Sequence, residues 1–139
     1  MKKTLLVSCL LLVASCSALA MQPEIVGGIR DGLAIGIMAD APIAKNVGLR
    51  FGLEANSGKQ PMMVFFGGKF YLTNAGSSPM YLGVHGVGYT GGSNNQTDVG
   101  FGLSAIFNRA FNVNPMFMEF GIDVASTSRL VAQVGYKIY

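Results

Sequence analysis

The chain of 139 residues has no tryptophan, one histidine and two cysteines, and Asp, Glu, Lys and Arg together make up only 12% of it. Each shortage excludes something. Cys9 and Cys16 both fall in the first twenty residues, so a chain cut after Ala20 has no disulfide and no thiol chemistry. A single histidine without cysteine argues against a zinc site. No basic patch is present for nucleic acid. So few charges cover little of the surface of a small secreted domain in a chain that is 50% apolar. Beyond the first twenty residues there is no apolar run long enough for a spanning helix. If the rest of the chain enters a membrane, it does so as strands.

What is present begins with a secretory leader. Lys2 and Lys3 form a positive n-region, residues 4–14 a mostly apolar h-region, and Ala18-Leu19-Ala20 a small-x-small cleavage site. Residues 1–20 therefore read as a signal peptide and residues 21–139 as one domain. A second cut competes: Val13-Ala14-Ser15-Cys16 resembles a bacterial lipobox, in which Cys16 becomes the lipidated first residue. Loss of Lys2 and Lys3 with the leader leaves eight basic side chains against seven acidic ones.

Two-residue alternation dominates the remainder. In residues 46–56, NVGLRFGLEAN, Val47, Leu49, Phe51, Leu53 and Ala55 are apolar, while Asn46, Gly48, Arg50, Gly52, Glu54 and Asn56 are small, polar or charged. The pattern recurs over residues 33–40, 62–72, 80–89, 99–108, 116–125 and 130–138, with Gly, Pro, Asn and Ser between the segments. No segment has a helical period. Seven strands of about ten residues follow, a length that suits a tilted barrel strand crossing a bilayer. Bacterial single-chain barrels have even strand counts. An eighth strand lies just before Leu33, where Ile25, Gly27 and Ile29 alternate with Glu24, Val26, Gly28 and Arg30, and Asp31-Gly32 is a two-residue hairpin signal. The alternative is one long strand over residues 24–40.

One face of these strands collects Arg50, Glu54, Lys69, His85, Glu119, Asp123 and Lys137, joined by Arg30 and Asp40 from the N-terminal pair. The other face has no charge in the seven clear strands. A soluble sheet wets the first face; a membrane barrel hides it. Nearly balanced charges among glycines suit an eight-strand lumen, which has room only for side chains and in which unpaired charge is expensive. The set is then a structural charge network. Glu119 and Asp123 partner Arg50, Lys69 and Lys137, and His85 bonds to Glu119 or Asp123. Direction supplies a second check. If the last strand ends in the periplasm, Phe70, Tyr71, Tyr81, Phe107, Phe111, Phe117, Tyr136 and Tyr139, eight of the fourteen aromatics, fall near the periplasmic end. An interfacial girdle requires such clustering. Tyr89 best marks the opposite end. The expected fold is all-β: an antiparallel up-and-down transmembrane β-barrel of eight strands, preceded by a cleaved signal peptide.

Four phrases, Leu33-Ala-Ile-Gly-Ile, Ala41-Pro-Ile-Ala-Lys-Asn-Val-Gly-Leu-Arg, Gly86-Val-Gly-Tyr and the closing Val134-Gly-Tyr-Lys-Ile-Tyr, give the pattern a family look. It resembles the small eight-stranded bacterial outer-membrane barrels of the OmpA/OmpX/OmpW-like and opacity-protein group, over most of residues 33–139. The resemblance implies residence in the cell outer membrane, contact with its lipids, and insertion by the barrel-assembly machinery. In that family the machinery reads a terminal aromatic, here Tyr139. The chain departs from the family in two ways. Its outward parity ends on Ile138, one residue out of step with Tyr139, and its outer loops are short, which argues against an adhesin.

Motifs that carry chemistry elsewhere have structural readings here. Gly86-Val-Gly88-Tyr-Thr-Gly91 spells G-x-G-x-x-G, but a loop follows it where a dinucleotide cradle needs a helix. His85 as a catalytic base needs a serine and an acid beside it, and no serine occurs within two residues. Glu119 and Asp123 are too far apart along a strand for a carboxylate dyad. Met62, Met116 and Met118 read as lipid-facing filler. The sequence thus points to a monomeric, non-enzymatic outer-membrane barrel with a plugged polar lumen and no cofactor, in a structural or interaction role. Two alternatives stay open: an outer-membrane lipid-modifying enzyme built on His85, and a periplasmic lipid-binding barrel tethered through Cys16.

Overall fold

In the computed structural model, which describes residues 20–138, the alternating segments become eight strands. They are β1 (Gln22–Arg30), β2 (Leu33–Ala44), β3 (Val47–Asn56), β4 (Met62–Ala75), β5 (Ser78–Thr90), β6 (Asp98–Asn108), β7 (Met116–Val124) and β8 (Ser128–Lys137). Each pairs antiparallel with the next, and β8 returns to pair with β1, so the sheet closes into an up-and-down barrel. Residues 1–19, with Cys16 and the lipobox cut before it, and the terminal Tyr139 lie outside the described residues. The β1–β2, β3–β4, β5–β6 and β7–β8 connections share one end of the barrel, the loop end. The other, terminal end carries the remaining turns and both ends of the strand array.

The reading of residues 24–40 as one strand is overturned. Asp31 and Gly32 take φ of 57° and 117°, and Ile29 pairs with Leu33 across them. Arg30, Asp31 and Gly32 lie between that last pair, one residue more than the two-residue hairpin the sequence suggested, and the positive φ that Asp and Gly accept reverses the chain there. The strands also run longer than expected at the terminal end. β2 continues through Pro42 to Ala44, and β4 and β5 continue to Ala75 and Ser78, past register shifts at Pro42/Ala44 and Tyr71/Thr73. Pro42 pairs with Gly48 beyond the last β1–β2 pair, Gln22 with Asp40. Pro79 pairs with Asn74 beyond the last β5–β6 pair, Met80 with Phe107. On that side each proline borders no strand, which is where a sheet tolerates a residue without an N–H.

Alternation assigns the two faces. Outward residues are apolar and exposed, among them Leu33 (75%), Ile35, Leu53, Phe66, Val99 (77%) and Leu130. Inward residues are buried, and their bulk is accommodated by glycines on neighbouring strands. A Cβ on Gly36 would lie 2.5 Å from Glu54 Cγ, and one on Gly52 2.7 Å from Phe65 Cε1. A Cβ on Gly102 would collide with both Asp123 and His85, and one on Gly135 with the Phe117 ring. Small barrels fill their taper by setting small residues against large ones, and this chain does so with glycine.

Three aromatics assigned to the membrane interfaces belong inside; one of them, Tyr81, is partly buried against the interior cluster with Lys69 Nζ 4.8 Å from its ring centroid. Phe117 and Tyr89 are both fully buried in a cluster with Val26, Met38, Met63, Phe65, Val87 and Ile106. Both have inward parity, which prevails over their height along the barrel. Phe70 and Tyr136 are exposed on the outside of the terminal end, and Phe111 is exposed in the turn between β6 and β7.

Candidate functional site

The barrel interior holds ten charged side chains in β1–β4 and β6–β8, together with His85 of β5. Glu24, Arg30, Asp40, Arg50, Glu54, Lys69, Glu119, Asp123 and Arg129 are buried, and the Lys137 side chain is 11% exposed. Five are basic and five acidic. They sort into three groups along the barrel axis.

The middle group is centred on Arg30. Its Nη1 donates to Glu54 Oε1 at 2.7 Å and its Nε to Asp123 Oδ2 at 2.8 Å, while the guanidinium stacks 5.2 Å over the Phe65 ring. Gln133 Nε2 donates to Glu54 Oε2 at 2.6 Å, and the Tyr89 hydroxyl donates to Asp123 Oδ2 at 2.5 Å. Asp123 thus receives a cation and a phenol, which stabilises a carboxylate kept from water. His85 Nε2 lies 2.8 Å from Arg30 Nη2 and 3.2 Å from Asp123 Oδ1. Arg30 has only protons to offer, so this nitrogen accepts from it. With no proton on Nε2, its 3.2 Å approach to Asp123 Oδ1 is then not a hydrogen bond, and Arg30 Nη2, which also lies 3.3 Å from Oδ1, bridges the two.

The second group lies toward the terminal end. Arg50 donates to Asp40 Oδ1 at 2.8 Å and to Glu119 Oε2 at 3.1 Å, and stacks 5.6 Å over Phe117. Lys69 Nζ donates to Asp40 Oδ2 at 2.5 Å, and Lys137 Nζ sits 3.9 Å from Glu24 Oε1. The sequence reading is corrected here. Glu119 partners Arg50, as expected, but Lys69 pairs with Asp40, Lys137 with Glu24, and Asp123 with Arg30. The N-terminal hairpin supplies those partners, because closure places β1 beside β8 and β2 beside β3.

The third group, at the loop end, contains a residue that sequence reasoning missed. Arg129 points inward, 6% exposed, 4.0 Å over the Tyr89 ring. It donates to Gln60 Oε1 at 2.7 Å and Asp98 Oδ2 at 3.2 Å, and its Nε is 3.2 Å from Asp31 Oδ2. Asp98 also accepts the Ser126 hydroxyl. The available signal was parity: Arg129 is in step with Val131, Gln133 and Lys137, one residue before the alternation was taken to begin.

Among the described residues no group of three or more His, Cys, Asp or Glu side chains is arranged to hold a metal ion, and no helix is long and apolar enough to cross a membrane. A β-barrel crosses with strands. Gly86, Gly88 and Gly91 of the G-x-G-x-x-G spelling lie along β5 and just past its end, where a loop follows. An eight-stranded barrel of this form fits a small outer-membrane barrel. Comparisons with protein-family models, curated proteins and solved structures return no match to this chain.

Proposed function

We propose that the chain is an integral outer-membrane β-barrel with a closed, ion-paired interior, acting as a structural or interaction protein and not as an enzyme. One observation carries the reading. Among the described residues, no strand presents a charged side chain outside the barrel: ten charges are turned inward, Asp98 at the start of β6 is turned to Arg129, and Asp31, Lys45, Lys59 and Arg109 are confined to turns. Soluble monomers rarely expose contiguous apolar patches beyond about 300–600 Å². Here the apolar surface runs around all eight strands. A charge on a lipid-facing position at mid-membrane costs about 2–4 kcal/mol, so lipid is the solvent in which such a wall is stable.

The remaining parts of the proposal follow from that orientation. The terminal end faces the periplasm, Phe70 and Tyr136 sit at its interface, and the four loops face outward. Tyr139 is the residue read by the barrel-assembly machinery. Closure leaves no strand edge for another chain, which favours a monomer. His85 is enclosed by Arg30, Asp123 and Phe65, away from the lipid face where a lipid-modifying base would work.

The test is fractionation of cells expressing the full chain, with boiled and unboiled samples compared by gel and the intact mass read from the same band. The expected result is a carbonate-resistant band that shifts on boiling, and its mass distinguishes a chain starting at Met21 from one lipidated at Cys16. A soluble or carbonate-released band without a shift refutes the proposal.

A further inference from the structure

On the terminal side the lumen ends in a cavity of about 170 Å³. Every strand except β7 contributes to its wall, from Gln22 of β1 round to Lys137 of β8, and the β2–β3 turn adds Lys45. It is therefore the mouth of the barrel and not a crevice between two strands. It is smaller than the sites of about 300–1,000 Å³ that enclose drug-sized molecules, and suits one small group. Its charged lining is uneven: Lys45, Lys69 and Lys137 stand against Asp40 alone.

Two features narrow the ligand. First, the one carboxylate is already spent. Asp40 accepts Arg50 through Oδ1 at 2.8 Å and Lys69 through Oδ2 at 2.5 Å. Lys137 faces only Glu24, whose Oε1 is 3.9 Å away, too far for a hydrogen bond, so its three protons are not committed there. Glu24 is sealed from solvent, whereas the Lys137 side chain keeps 11% of its surface and Lys45 is exposed. Second, the surplus extends past the lining. The turns at this end carry Lys45 and Arg109 and no acidic residue, while the loop end sets Asp31 and Asp98 against Lys59 and Arg129. With the buried network included, Lys45, Arg50, Lys69, Arg109 and Lys137 stand against Glu24, Asp40 and Glu119, five cations to three carboxylates. A surplus of ammonium groups selects an anion. A phosphate group brings one to about two negative charges, and its oxygens accept from several lysines at once.

We propose that this mouth binds an anionic phosphate group, with the Lys45 and Lys137 ammonium groups donating to its oxygens. Lys69, held by Asp40 and 4.8 Å from the Tyr81 ring centroid, supplies the third positive charge. The phosphate is either free or carried by the headgroup of a lipid in the adjoining leaflet. That the mouth faces the periplasm rests on the outer-membrane reading. Binding of inorganic phosphate by the purified barrel does not, so the two fail separately.

The test is an NMR titration of the folded full chain, isotope-labelled, in uncharged detergent micelles with inorganic phosphate, and with sodium chloride at matched ionic strength as control. It is repeated in phosphatidylcholine nanodiscs with and without phosphatidylglycerol. Saturating shifts confined to the amides of residues 44–48, Lys69 and Lys137 are expected. Lys45→Gln, an exposed turn change, is expected to weaken binding about fivefold, the effect of one exposed ion pair. Arg109→Gln removes the same charge from the same end, at an exposed position outside the cavity lining, and is expected to leave the affinity nearly unchanged. Shifts with inorganic phosphate assign the free anion, and shifts only with phosphatidylglycerol assign a lipid-borne one. No shift in either arm, equal shifts with chloride, undiminished affinity in Lys45→Gln, or an equal loss in Arg109→Gln overturns the proposal.

Discussion

Replacing Arg30 with methionine is expected to destabilise the barrel by about 3–5 kcal/mol, the usual effect of removing one partner from a buried ion pair. Arg30 is the cation for two carboxylates, Glu54 at 2.7 Å and Asp123 at 2.8 Å. Neither is stripped bare by its loss: Glu54 keeps Gln133, Asp123 keeps Tyr89, and His85 Nε2, freed of Arg30 and 3.2 Å from Asp123 Oδ1, can take up the ring proton and donate to it. Those neutral bonds hold the effect within the stated range even though two pairs break at once. At about 1.4 kcal/mol per decade, the folded-to-unfolded ratio falls by about two to four decades. Neutralising the orphans tests the cause. In Arg30→Met/Glu54→Gln/Asp123→Asn no charge is left unpaired, and most of the lost stability is expected to return, since apolar or neutral replacement of a whole buried pair is often close to neutral. The assay is reversible urea unfolding in lipid vesicles, followed by the boiling shift and by tyrosine fluorescence. Lys59→Met, an exposed loop change, serves as control, with an effect within about 0.5 kcal/mol. If Arg30→Met lies within about 1 kcal/mol of the parent, or the triple variant is no better than the single one, the interior charges are screened by water and do not hold one another.

Three further outcomes are expected. Leu53→Arg places a charge on the outer wall and is expected to cost about 2–4 kcal/mol in vesicles; an unfolding midpoint equal to the parent's contradicts a lipid-facing wall. Gly102→Ala drives a Cβ into Asp123 and His85 and is expected to cost about 1–3 kcal/mol by overpacking, read by the same urea titration. A parent-like midpoint would show that the interior gives way. In planar bilayers the purified barrel is expected to show no conductance steps, because ion pairs and aromatic rings fill its cross-section; regular steps contradict a closed lumen.

Strand parity was legible from sequence because burial, charge and bulk all follow the same period of two. Leu33, Ile35 and Ile37 face out, and Arg50 and Glu54 face in, as alternation alone requires. The reversal at Asp31-Gly32 was legible because few residues accept positive φ in succession, although the loop is one residue longer than read. Partner choice was not legible. Which carboxylate meets Lys69 depends on register and shear across several strands, and no local pattern encodes either. Pro42, Asn74 and Pro79 concealed the strand extensions, since they read as breakers until the neighbouring strand is known to end before reaching them. Phe117 and Tyr89 were misassigned because height along the barrel was read before face. Arg129 was missed because its neighbours, Ser126, Thr127 and Ser128, read as a turn.

The seam between β1 and β8 joins residues from opposite ends of the chain, from Glu24 beside Lys137 to Arg30 beside Val131. During synthesis β1 is made first and finds its second neighbour only when the ten residues of β8 have been added. Until then β1 and β7 both present unpaired edges, and such edges recruit foreign strands. Contacts this distant in sequence also form slowly. The order of manufacture therefore sets a waiting period: the chain must be held apart from its siblings, unclosed, until its last strand arrives. A premature stop within β8 would make that waiting state permanent, with two sticky margins in place of none.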